Sequence, residues 1–372
     1  MRALVIGNNT TLALGVVSAL GAAQREADVL SEWYAPRLRF SRYCRNYLRV
    51  PYGSLNLEDL TGDGLRLIQA YCHANAIDLV IPADLRATVG LAKLPDGELP
   101  KFPVSSPETL ATLHDKWLFH QLLQREQLPS PPTELLDPRA PEALTLNYPI
   151  IVKPVAGEGG EGIHTCESVA ELEQLCASGA LSGGRFIAQK LIIGHDVDVS
   201  VLAEHGRIVA YTIQHTETAD TKRFVLDEPL LEIAANIVRV SQLHGLAHFD
   251  MRVDGRDGSP YVLECNPRVW GSLMYSVWAG VNFIELGCEL ALGRRPPASV
   301  PPTERVWHQG VAPRRMLKAL LQGRRAPLGM HGATLASWKQ AHRDPWIQLI
   351  GKYTERGELY MRGKLQQRGK AV

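Results

Sequence analysis

Short apolar segments alternate with helical segments over the first hundred residues, and this alternation constrains the fold more than any other feature of the chain. Arg2–Ile6, Ala27–Leu30 and Asp78–Ile81 have the length and composition of buried strands. Helices are predicted between them, near Leu12–Gln24 and Leu57–Asn75. Parallel strands need such crossovers, because each connection must return the chain to the same end of the sheet. The pattern therefore predicts an α/β fold that opens with a parallel unit.

The N-terminal segment resembles an export signal in one respect, since no charged residue occurs from Ala3 to Gln24. However, the polar stretch from Gly7 to Thr11 interrupts the apolar run, whereas a signal or membrane helix needs a continuous one. A strand, a glycine-led turn and a helix explain the segment better, as in a Rossmann-like opening. Gly7 and Gly15 alone are too weak a pattern to predict a dinucleotide site.

Composition narrows the class of protein and its location. At 372 residues the chain is long enough for two or three domains. Its six cysteines are widely separated and form no CxxC pair, which favours reduced thiols over a disulfide scaffold or a four-cysteine zinc site. The 40 Lys plus Arg and 39 Asp plus Glu nearly cancel, so the chain lacks the overall basic character of a nucleic-acid binder. We therefore expect a cytoplasmic protein without a nucleic-acid partner.

A glycine-rich loop follows a lysine at the end of an apolar strand in the segment YPIIVKPVAGEGGEGIHTC. The strand is predicted at Pro149–Val152, and the lysine is Lys153. The glycines of the loop are Gly157, Gly159, Gly160 and Gly162. Glycines at this spacing let the backbone approach a ligand and turn successive N–H groups toward an anion such as a phosphate. A flexible surface hairpin with an incidental lysine is the alternative, and the segment alone does not decide between the two.

The segment FIAQKLIIGHDVDVSVLAEHGRIVAYTIQHT predicts strands at Phe186–Lys190 and Val197–Ala203, joined by a turn at Gly194–Asp196. Gln189 and Asp196 are polar groups on either side of this connection. An amide and a carboxylate suit the exocyclic amine and the ribose hydroxyls of one nucleotide. Taken alone, the segment is better explained as an ordinary hairpin.

The most specific segment is HGLAHFDMRVDGRDGSPYVLECNPRVWGS, which predicts two strands joined by a turn at Asp254–Pro260. Asp250 is predicted near the start of the first strand, while Glu264 and Asn266 end the second and face the same way. Two carboxylates and an amide oxygen are hard ligands, suited to Mg²⁺ that also binds phosphates. Arg268 continues the alternation and adds a fixed cation. A surface hairpin with solvated acids is the alternative, which the apolar residues before Glu264 disfavour.

In their order along the chain, these segments resemble the ATP-grasp superfamily, the carboxylate–amine ligases that include D-alanine–D-alanine ligase and biotin carboxylase. The resemblance covers about residues 1–300. It rests on Lys116 in HDKWLFHQLLQREQLPSPPT, on Lys153 with its glycine loop, on QKLIIGHD and on ECNPR. Lys116 lies within a helix predicted from about Pro107 to Glu126.

The resemblance implies an α/β ATP-grasp fold with a Rossmann-like N-terminal (pre-ATP-grasp) domain and a small basic C-terminal extension. The implied domains are a pre-ATP-grasp domain at 1–105, an ATP-grasp domain at 106–300 and a basic C-terminal region at 301–372. Within the ATP-grasp domain, a glycine-loop lid subdomain would cover about 133–190 and a metal-binding subdomain about 191–300.

The resemblance also implies how ATP is bound. Lys116 and Lys153 would contact the phosphates, and the 157–162 loop would close over them as a lid. The adenine edge would meet Gln189, Lys190 and the backbone near Ile192, and Asp196 would bind the ribose.

The metal ion and the reacting groups follow from the same resemblance. Asp250, Glu264 and Asn266 would hold Mg²⁺, with Mn²⁺ as a substitute. Arg268 would steady the γ-phosphate and the developing acyl phosphate. Lys222 lies where relatives carry a phosphate-binding lysine, but this match is positional only, and a solvated loop lysine is the alternative.

One position departs from the family pattern. D-alanine–D-alanine ligases carry an arginine two residues before the first metal-binding acid, and it stabilises the tetrahedral intermediate. This chain has His248 there. Either His248 only packs in the site, or Arg252 or Arg268 takes over the role of that arginine.

The implied activity is an ATP-dependent ligation that joins a small-molecule carboxylate to an amine through an acyl phosphate, releasing ADP and phosphate. Two alternatives remain open at this point. One is an ATP-grasp enzyme of the carboxylase or carbamoyl-phosphate type, and the other is a non-catalytic, nucleotide-binding regulatory protein. The implied partners are the small-molecule substrates, and a homodimer is compatible with the chain.

Charge is distributed unevenly along the chain. Residues 311–372 carry 13 Lys plus Arg and 3 Asp plus Glu, and aromatic residues lie among the cations. Such a segment suits peripheral contact with an anionic membrane surface or an acidic partner. A solvated basic face packed on the more acidic remainder and a partial lid over the active site are the alternatives.

Overall fold

The computed structural model describes residues 1–32, 38–51, 54–157, 159–218, 221–296, 305–308 and 344. Three sheets account for its strands: a parallel four-stranded sheet, an antiparallel four-stranded sheet and an antiparallel six-stranded sheet. None of the helices in these ranges is long and apolar enough to cross a membrane. Most of the predicted basic region at 301–372 lies outside the described residues.

The first sheet is parallel, as the alternation of strands and helices predicts. Its strands are β1 (Arg2–Ile6), β2 (Glu26–Ser31), β3 (Cys44–Arg49) and β4 (Leu79–Pro82), and its helices are α1 (Thr10–Ala22), α2 (Gly62–Asn75) and α3 (Leu85–Lys93). The strand order is β3–β2–β1–β4. Strand β3 had no apolar signature in the sequence, because it is an edge strand whose side chains are half-buried or exposed.

A carboxylate fills the turn after β1. Asp84 accepts hydrogen bonds from the backbone N–H groups of Asn8 and Asn9, and its other oxygen caps α3 at Ala87. In a dinucleotide-binding opening, these N–H groups would face a phosphate. The negative charge of Asp84 therefore explains why the Rossmann-like opening at Gly7 is unsuited to a dinucleotide.

Two helices replace the single helix predicted from Pro107 to Glu126. They are α4 (Pro107–His114) and α5 (Lys116–Arg125). The break lies at Asp115, whose carboxylate accepts from the N–H groups of the second and third residues of α5. This cap starts a new helix and makes Lys116 its first residue.

The small antiparallel sheet carries the predicted glycine loop. Its strands are β5 (Thr133–Leu136), β6 (Ile150–Pro154), β7 (His164–Cys166) and β8 (Phe186–Lys190), in the order β5–β8–β6–β7. Helix α6 (Val169–Ala177) covers one face. Residues such as Ile150, Val152, Leu172 and Ala188 form a separate hydrophobic core there.

The large antiparallel sheet follows. Its strands are β9 (Gly194–Glu204), β10 (Arg207–Thr218), β11 (Thr221–Val225), β12 (Gly245–Asp254), β13 (Pro260–Asn266) and β14 (Arg305–His308), in the order β13–β12–β9–β10–β11–β14. The remaining helices are α7 (Glu228–Ser241), α8 (Leu273–Ala279) and α9 (Phe283–Ala291).

Two predictions about these strands are wrong. Gly194–Asp196 was predicted as a turn but belongs to β9, where Gly194 pairs with Asp254. A Cβ at Gly194 would lie 1.8 Å from the carbonyl oxygen of Val253, so glycine is needed here for close strand approach rather than for a turn. Asp250 was predicted near the start of its strand but lies in the middle of β12, because that strand begins at Gly245.

The first sheet and the large sheet share one hydrophobic core. Val16 and Leu20 of α1 pack in the same cluster as Leu273 of α8 and Phe283 of α9. A bidentate ion pair reinforces this contact, with Arg25 Nη2 lying 2.6 Å from Glu285 Oε1. This packing fixes the N-terminal end of α1 beside the polar face of the large sheet.

Candidate active site

A cleft of about 870 Å³ lies between the three sheets. The start of α1 contributes Asn9 and Thr11, and the glycine loop contributes Gly159 and Gly160. The floor of the cleft comes from the large sheet. Its lining residues there are Asp196, Asp198, Lys222, His248, Asp250, Glu264, Asn266 and Arg268.

Period-two alternation in the large sheet produces this polar floor. Asp198 of β9 pairs with Asp250 of β12, and Asp250 pairs with Glu264 of β13, so all three side chains share a face. The residues between them, such as Val199 and Phe249, face the opposite side and pack in the core under α5 and α7. The same strands therefore anchor the core and present the polar groups of the cleft.

The side chain of Lys116 extends from the start of α5 to Glu264 near the end of β13. Its Nζ lies 3.3 Å from Glu264 Oε2 and donates to the carbonyl oxygen of Gly157 at 3.2 Å. The cap at Asp115 positions this lysine, because it fixes where α5 begins. A buried ammonium group is thus shared between an acid of the large sheet and the start of the glycine loop.

Lys153 lies at the end of β6, between the two antiparallel sheets. Its Nζ donates to the carbonyl oxygen of Leu263 at 3.4 Å. Burial lowers the pKa of Lys153 from 10.5 to about 8, and the nearby ammonium of Lys116 contributes to the lowering, while Glu264 opposes it. Two lysines therefore lie near Glu264 at the side of the cleft, and Lys153 has little solvent to stabilise its charge.

The glycine loop adopts the conformation that its composition predicts. Gly159, Gly160 and Gly162 have φ angles of 70°, 78° and 71°, which side chains with a Cβ rarely adopt. Gly157 does not share this conformation and contributes its carbonyl oxygen to Lys116 instead.

A chain of hydrogen bonds connects Asp250, in the middle of β12, to the end of β13 and to Arg268 just beyond it. Asn266 Nδ2 donates to Asp250 Oδ2 at 2.8 Å, and Arg268 Nη2 donates to Asn266 Oδ1 at 3.0 Å. Arg268 is buried and also donates from Nη1 to the carbonyl oxygen of Val269. The predicted metal-binding and phosphate-binding groups therefore form one connected cluster.

His248 is the residue that departs from the family pattern, and both of its ring nitrogens and its ring face have contacts. Its Nε2 lies 3.2 Å from Asp250 Oδ1, its Nδ1 lies 2.8 Å from the Ser200 hydroxyl, and its ring stacks on Trp270 with centroids 5.2 Å apart. Burial alone disfavours the protonated ring, but Asp250 and Asp198 outweigh it and raise the pKa of His248. The ring of His248 therefore lies beside Asp250 at the position where the family pattern has an arginine, and this contact favours its charged form.

The acids differ in how their charge is balanced. Burial raises the pKa of Asp250, with His248 opposing the change. Burial acts on Glu264 in the same direction, but Lys116 and Lys153 outweigh it and lower the pKa of that carboxyl. Burial therefore disfavours the charged form of Asp250, whereas the two lysines favour the charged form of Glu264.

This donor set fits Mg²⁺. Asp250, Glu264 and Asn266 offer hard oxygen atoms on one face, which suit a cation that keeps several waters and phosphate ligands. Asn266 Oδ1 already accepts from Arg268, so it reaches a cation through its second lone pair. Asp198, His248 and Asp250 also present ligand atoms within 4.8 Å of one another.

Asp198 belongs to the cleft although the sequence did not predict it. Asp198 Oδ2 accepts from Gln214 Nε2 at 3.0 Å and lies 3.7 Å from Lys222 Nζ. Asp198 follows Asp196 by two residues, so a strand through both would have revealed it, but the predicted turn at Gly194–Asp196 concealed this alternation. Trp270 also lines the cleft, as its position directly after the metal-binding segment suggests.

The residues predicted for the base and sugar lie at two places. Asp196 lines the cleft, and its Oδ1 lies 3.2 Å from Arg252 Nη1. Gln189 belongs to β8 of the small sheet and Ile192 follows that strand; both are buried and lie outside the cleft lining. The backbone N–H of Lys190 donates to the carbonyl oxygen of Pro132. The structure thus brings the phosphate and metal residues together and leaves the predicted adenine contacts at the neighbouring edge.

Two protein-family models match the chain. The model described as the carbamoyl-phosphate synthase L chain, ATP binding domain matches residues 115–209, and the model described as ATP-grasp in the biosynthetic pathway with Ter operon matches residues 184–311. The arginine-specific large chain of carbamoyl phosphate synthase from Geobacillus stearothermophilus is 26% identical over 204 residues. That alignment covers 49% of this chain but only 19% of the relative.

Solved structures with the same fold cover more of the chain. Carboxyaminoimidazole ribonucleotide synthase from Aspergillus clavatus, complexed with ATP, superposes with a TM-score of 0.65 at 17% identity over 94% of this chain and 98% of that one. Biotin carboxylase from Campylobacter jejuni gives 0.61 at 21% identity over 79% and 72%. L-amino acid ligase from Bacillus licheniformis gives 0.55 at 18% identity over 78% and 74%. At these identities the likeness establishes the fold, and the two overlapping family matches show similarity to ATP-grasp proteins over residues 115–311.

Proposed function

We propose that the protein is an ATP-dependent ligase that activates a small-molecule carboxylate as an acyl phosphate and joins it to an amine, releasing ADP and phosphate. The observation that carries this proposal is the convergence of buried cations and carboxylates on one cleft. Lys116, Lys153 and Arg268 are each less than a tenth exposed and lie around Glu264 and its neighbours. So many buried charges are costly unless a ligand completes their pairing.

Lys116 and Lys153 would bind the phosphates of ATP. Two ammonium groups this close repel each other in a dry site, and a polyphosphate relieves that repulsion. The glycine loop would then close over the phosphates and exclude water, since Gly157 already contacts Lys116. Asp196 would hold the ribose.

Asp250, Glu264 and Asn266 would hold Mg²⁺, with Mn²⁺ as a substitute, and the cation would neutralise charge on the phosphoryl group being transferred. Arg268 is positioned by Asn266 and would steady the γ-phosphate and the developing acyl phosphate. Lys222 is held beside Asp198 and would add a second cation on the opposite side.

The acid and the amine would bind at the end of the cleft formed by Asn9, Thr11 and Trp270. A carboxylate oxygen of the acid attacks the γ-phosphate, ADP leaves, and the amine then displaces phosphate from the acyl phosphate. Asp250 raises the pKa of His248, which favours a positively charged ring next to Trp270, and that ring would stabilise the oxyanion that forms as the amine adds.

Calorimetric titration tests nucleotide binding, and a phosphate-release screen tests ligation. We expect Mg²⁺-ATP to bind the purified protein and phosphate to appear only when the correct acid and amine are both present. Glu264→Ala should abolish turnover without unfolding the protein, whereas the matched change Glu232→Ala on the exposed side of α7 should leave turnover intact. Absence of Mg²⁺-ATP binding would refute the proposal, and full activity of Glu264→Ala would refute the metal assignment.

A carboxylase or carbamoyl-phosphate type of reaction is the second candidate, because the matched ATP-binding model comes from carbamoyl-phosphate synthase. In that case bicarbonate is the acid that is phosphorylated. The same screen separates the two candidates when bicarbonate is supplied alone and then with each amine. Phosphate release with bicarbonate, and with no other carboxylate, would favour this second reaction.

A further inference from the structure

A buried hydrogen-bond relay connects β5 to β8 at the edge where the adenine contacts are predicted. Gln189 Nε2 donates to Thr133 Oγ1 at 2.8 Å, and the Thr133 hydroxyl donates to the carbonyl oxygen of Pro131 at 2.8 Å. Thr133 and Gln189 are direct neighbours across the two strands, and both are less than a tenth exposed.

The direction of this relay is fixed by the number of protons available. A threonine hydroxyl has one proton, and Pro131 receives it, so Thr133 is left with only acceptor capacity toward Gln189. The amide of Gln189 must then present its NH₂ group to Thr133 and its oxygen to the other side. Turning the amide over would leave either the hydroxyl or the Pro131 carbonyl without its partner, which is costly in a buried site.

The oxygen of Gln189 lies on the side of the amide away from Thr133, on a face of the small sheet where the family resemblance implies the nucleotide base. Gln189 pairs with Ile151 of β6, and Lys153 is two residues further along that strand, so Gln189 and Lys153 share one face of the small sheet. Lys153 reaches the carbonyl oxygen of Leu263 on β13, which shows that this face looks toward the large sheet. None of the described residues donates a hydrogen bond to Gln189 Oε1.

We propose that Thr133 is a specificity-determining residue that, by orienting the Gln189 amide, makes the site accept a 6-amino purine and reject a 6-oxo purine. The proposal rests on the proposed ATP-dependent function. Adenine has an amino group at position 6 and donates to Gln189 Oε1. Hypoxanthine and guanine have a carbonyl oxygen there, and two acceptors that face each other in a buried site cannot pair.

Calorimetric titration with Mg²⁺-ATP and Mg²⁺-ITP tests the relay, because inosine carries the 6-oxo group without the extra amino group of guanosine. The quantity compared is the ratio of the two dissociation constants. Thr133→Ser retains the hydroxyl and should keep the wild-type preference for ATP. Thr133→Val removes both the donor and the acceptor, frees the amide to turn, and should reduce the preference about three- to tenfold.

A second substitution separates selectivity from a loss of packing. A carboxylate presents an oxygen to the base in either orientation, so Gln189→Glu added to Thr133→Val should restore the preference for ATP. Thr133→Ala serves as a second hydroxyl-free variant in case the valine does not fold, as judged by circular dichroism. A wild-type preference in the hydroxyl-free variants, or no restoration by Gln189→Glu, would overturn the relay. Failure of the wild-type protein to bind ATP would instead overturn the proposed function.

Discussion

The charge of Lys153 would stabilise a bound polyphosphate in the proposed function, but without a ligand it destabilises the fold. Lys153 is 5% exposed, and burial lowers its pKa from 10.5 to about 8, so at pH 7 it keeps its proton in the folded protein. The change in pKa corresponds to about 3 kcal/mol of stability lost at neutral pH, at about 1.36 kcal/mol per pKa unit. This figure already includes the attraction of Glu264, which opposes the lowering of the pKa.

Replacement of Lys153 by methionine should therefore raise the free energy of unfolding at pH 7 by about 1–3 kcal/mol, while it abolishes Mg²⁺-ATP binding. The sign of the pH dependence follows from proton counts. The unfolded chain holds the Lys153 proton up to about pH 10.5, whereas the folded wild type releases it near pH 8. Between these values the unfolded wild type binds more protons, so wild-type stability rises relative to the variant and the difference shrinks.

Urea unfolding at pH 7 and at pH 9.5 measures this difference. Lys93→Met is the matched control, because Lys93 is exposed on α3 and its removal should change stability by less than about 0.5 kcal/mol. A Lys153→Met variant that is less stable than the wild type at pH 7 would contradict the burial argument. A stability difference that does not shrink as the pH rises would contradict it equally.

Two further predictions concern how the scaffold positions the site. Asp115→Ala should lower the free energy of unfolding by about 1 kcal/mol and weaken Mg²⁺-ATP binding, because the lost cap supports Lys116 at the start of α5. An unchanged free energy in urea unfolding and an unchanged dissociation constant in calorimetry would count against this prediction. Gly287→Ala should lower the free energy of unfolding by about 1–3 kcal/mol, because the added Cβ would lie 2.1 Å from the Phe102 ring. Gly184→Ala is the control, since its Cβ would have its nearest neighbour at 3.7 Å, and urea unfolding should show no such loss of stability.

The parts of the fold that were predictable from sequence are those with local patterns. Strand β1 and strand β8 were predicted with the observed bounds, because each is a short apolar run ended by a polar or glycine residue. The exposed edge strand β3 was missed because it buries little and so lacks that pattern. The break at Asp115 was missed because the apolar spacing continues through it, although an aspartate before a helical run is a typical cap.

The cleft was predictable only where its residues lie close together in sequence. Glu264, Asn266 and Arg268 alternate on one segment, so their common direction follows from strand geometry. Asp198 joins them through the register of β9 against β12, and the contribution of Asn9 depends on how α1 packs against α8 and α9. Registers and packing between distant segments depend on tertiary structure, which local patterns do not determine.

The first sheet and the large sheet share one core, whereas the small sheet has a core of its own, and this difference affects rigidity. This shared core and the Arg25–Glu285 ion pair keep the distance between Asn9 and Trp270 fixed, since densely packed interiors resist deformation. The small sheet has a core of its own, and units with separate cores move relative to each other at low cost. For the proposed ligase, the shared core would therefore determine the length of the accepted substrate, and the small sheet would determine the rate of nucleotide exchange. Substitutions in one part would then change substrate choice without slowing the turnover set by the other.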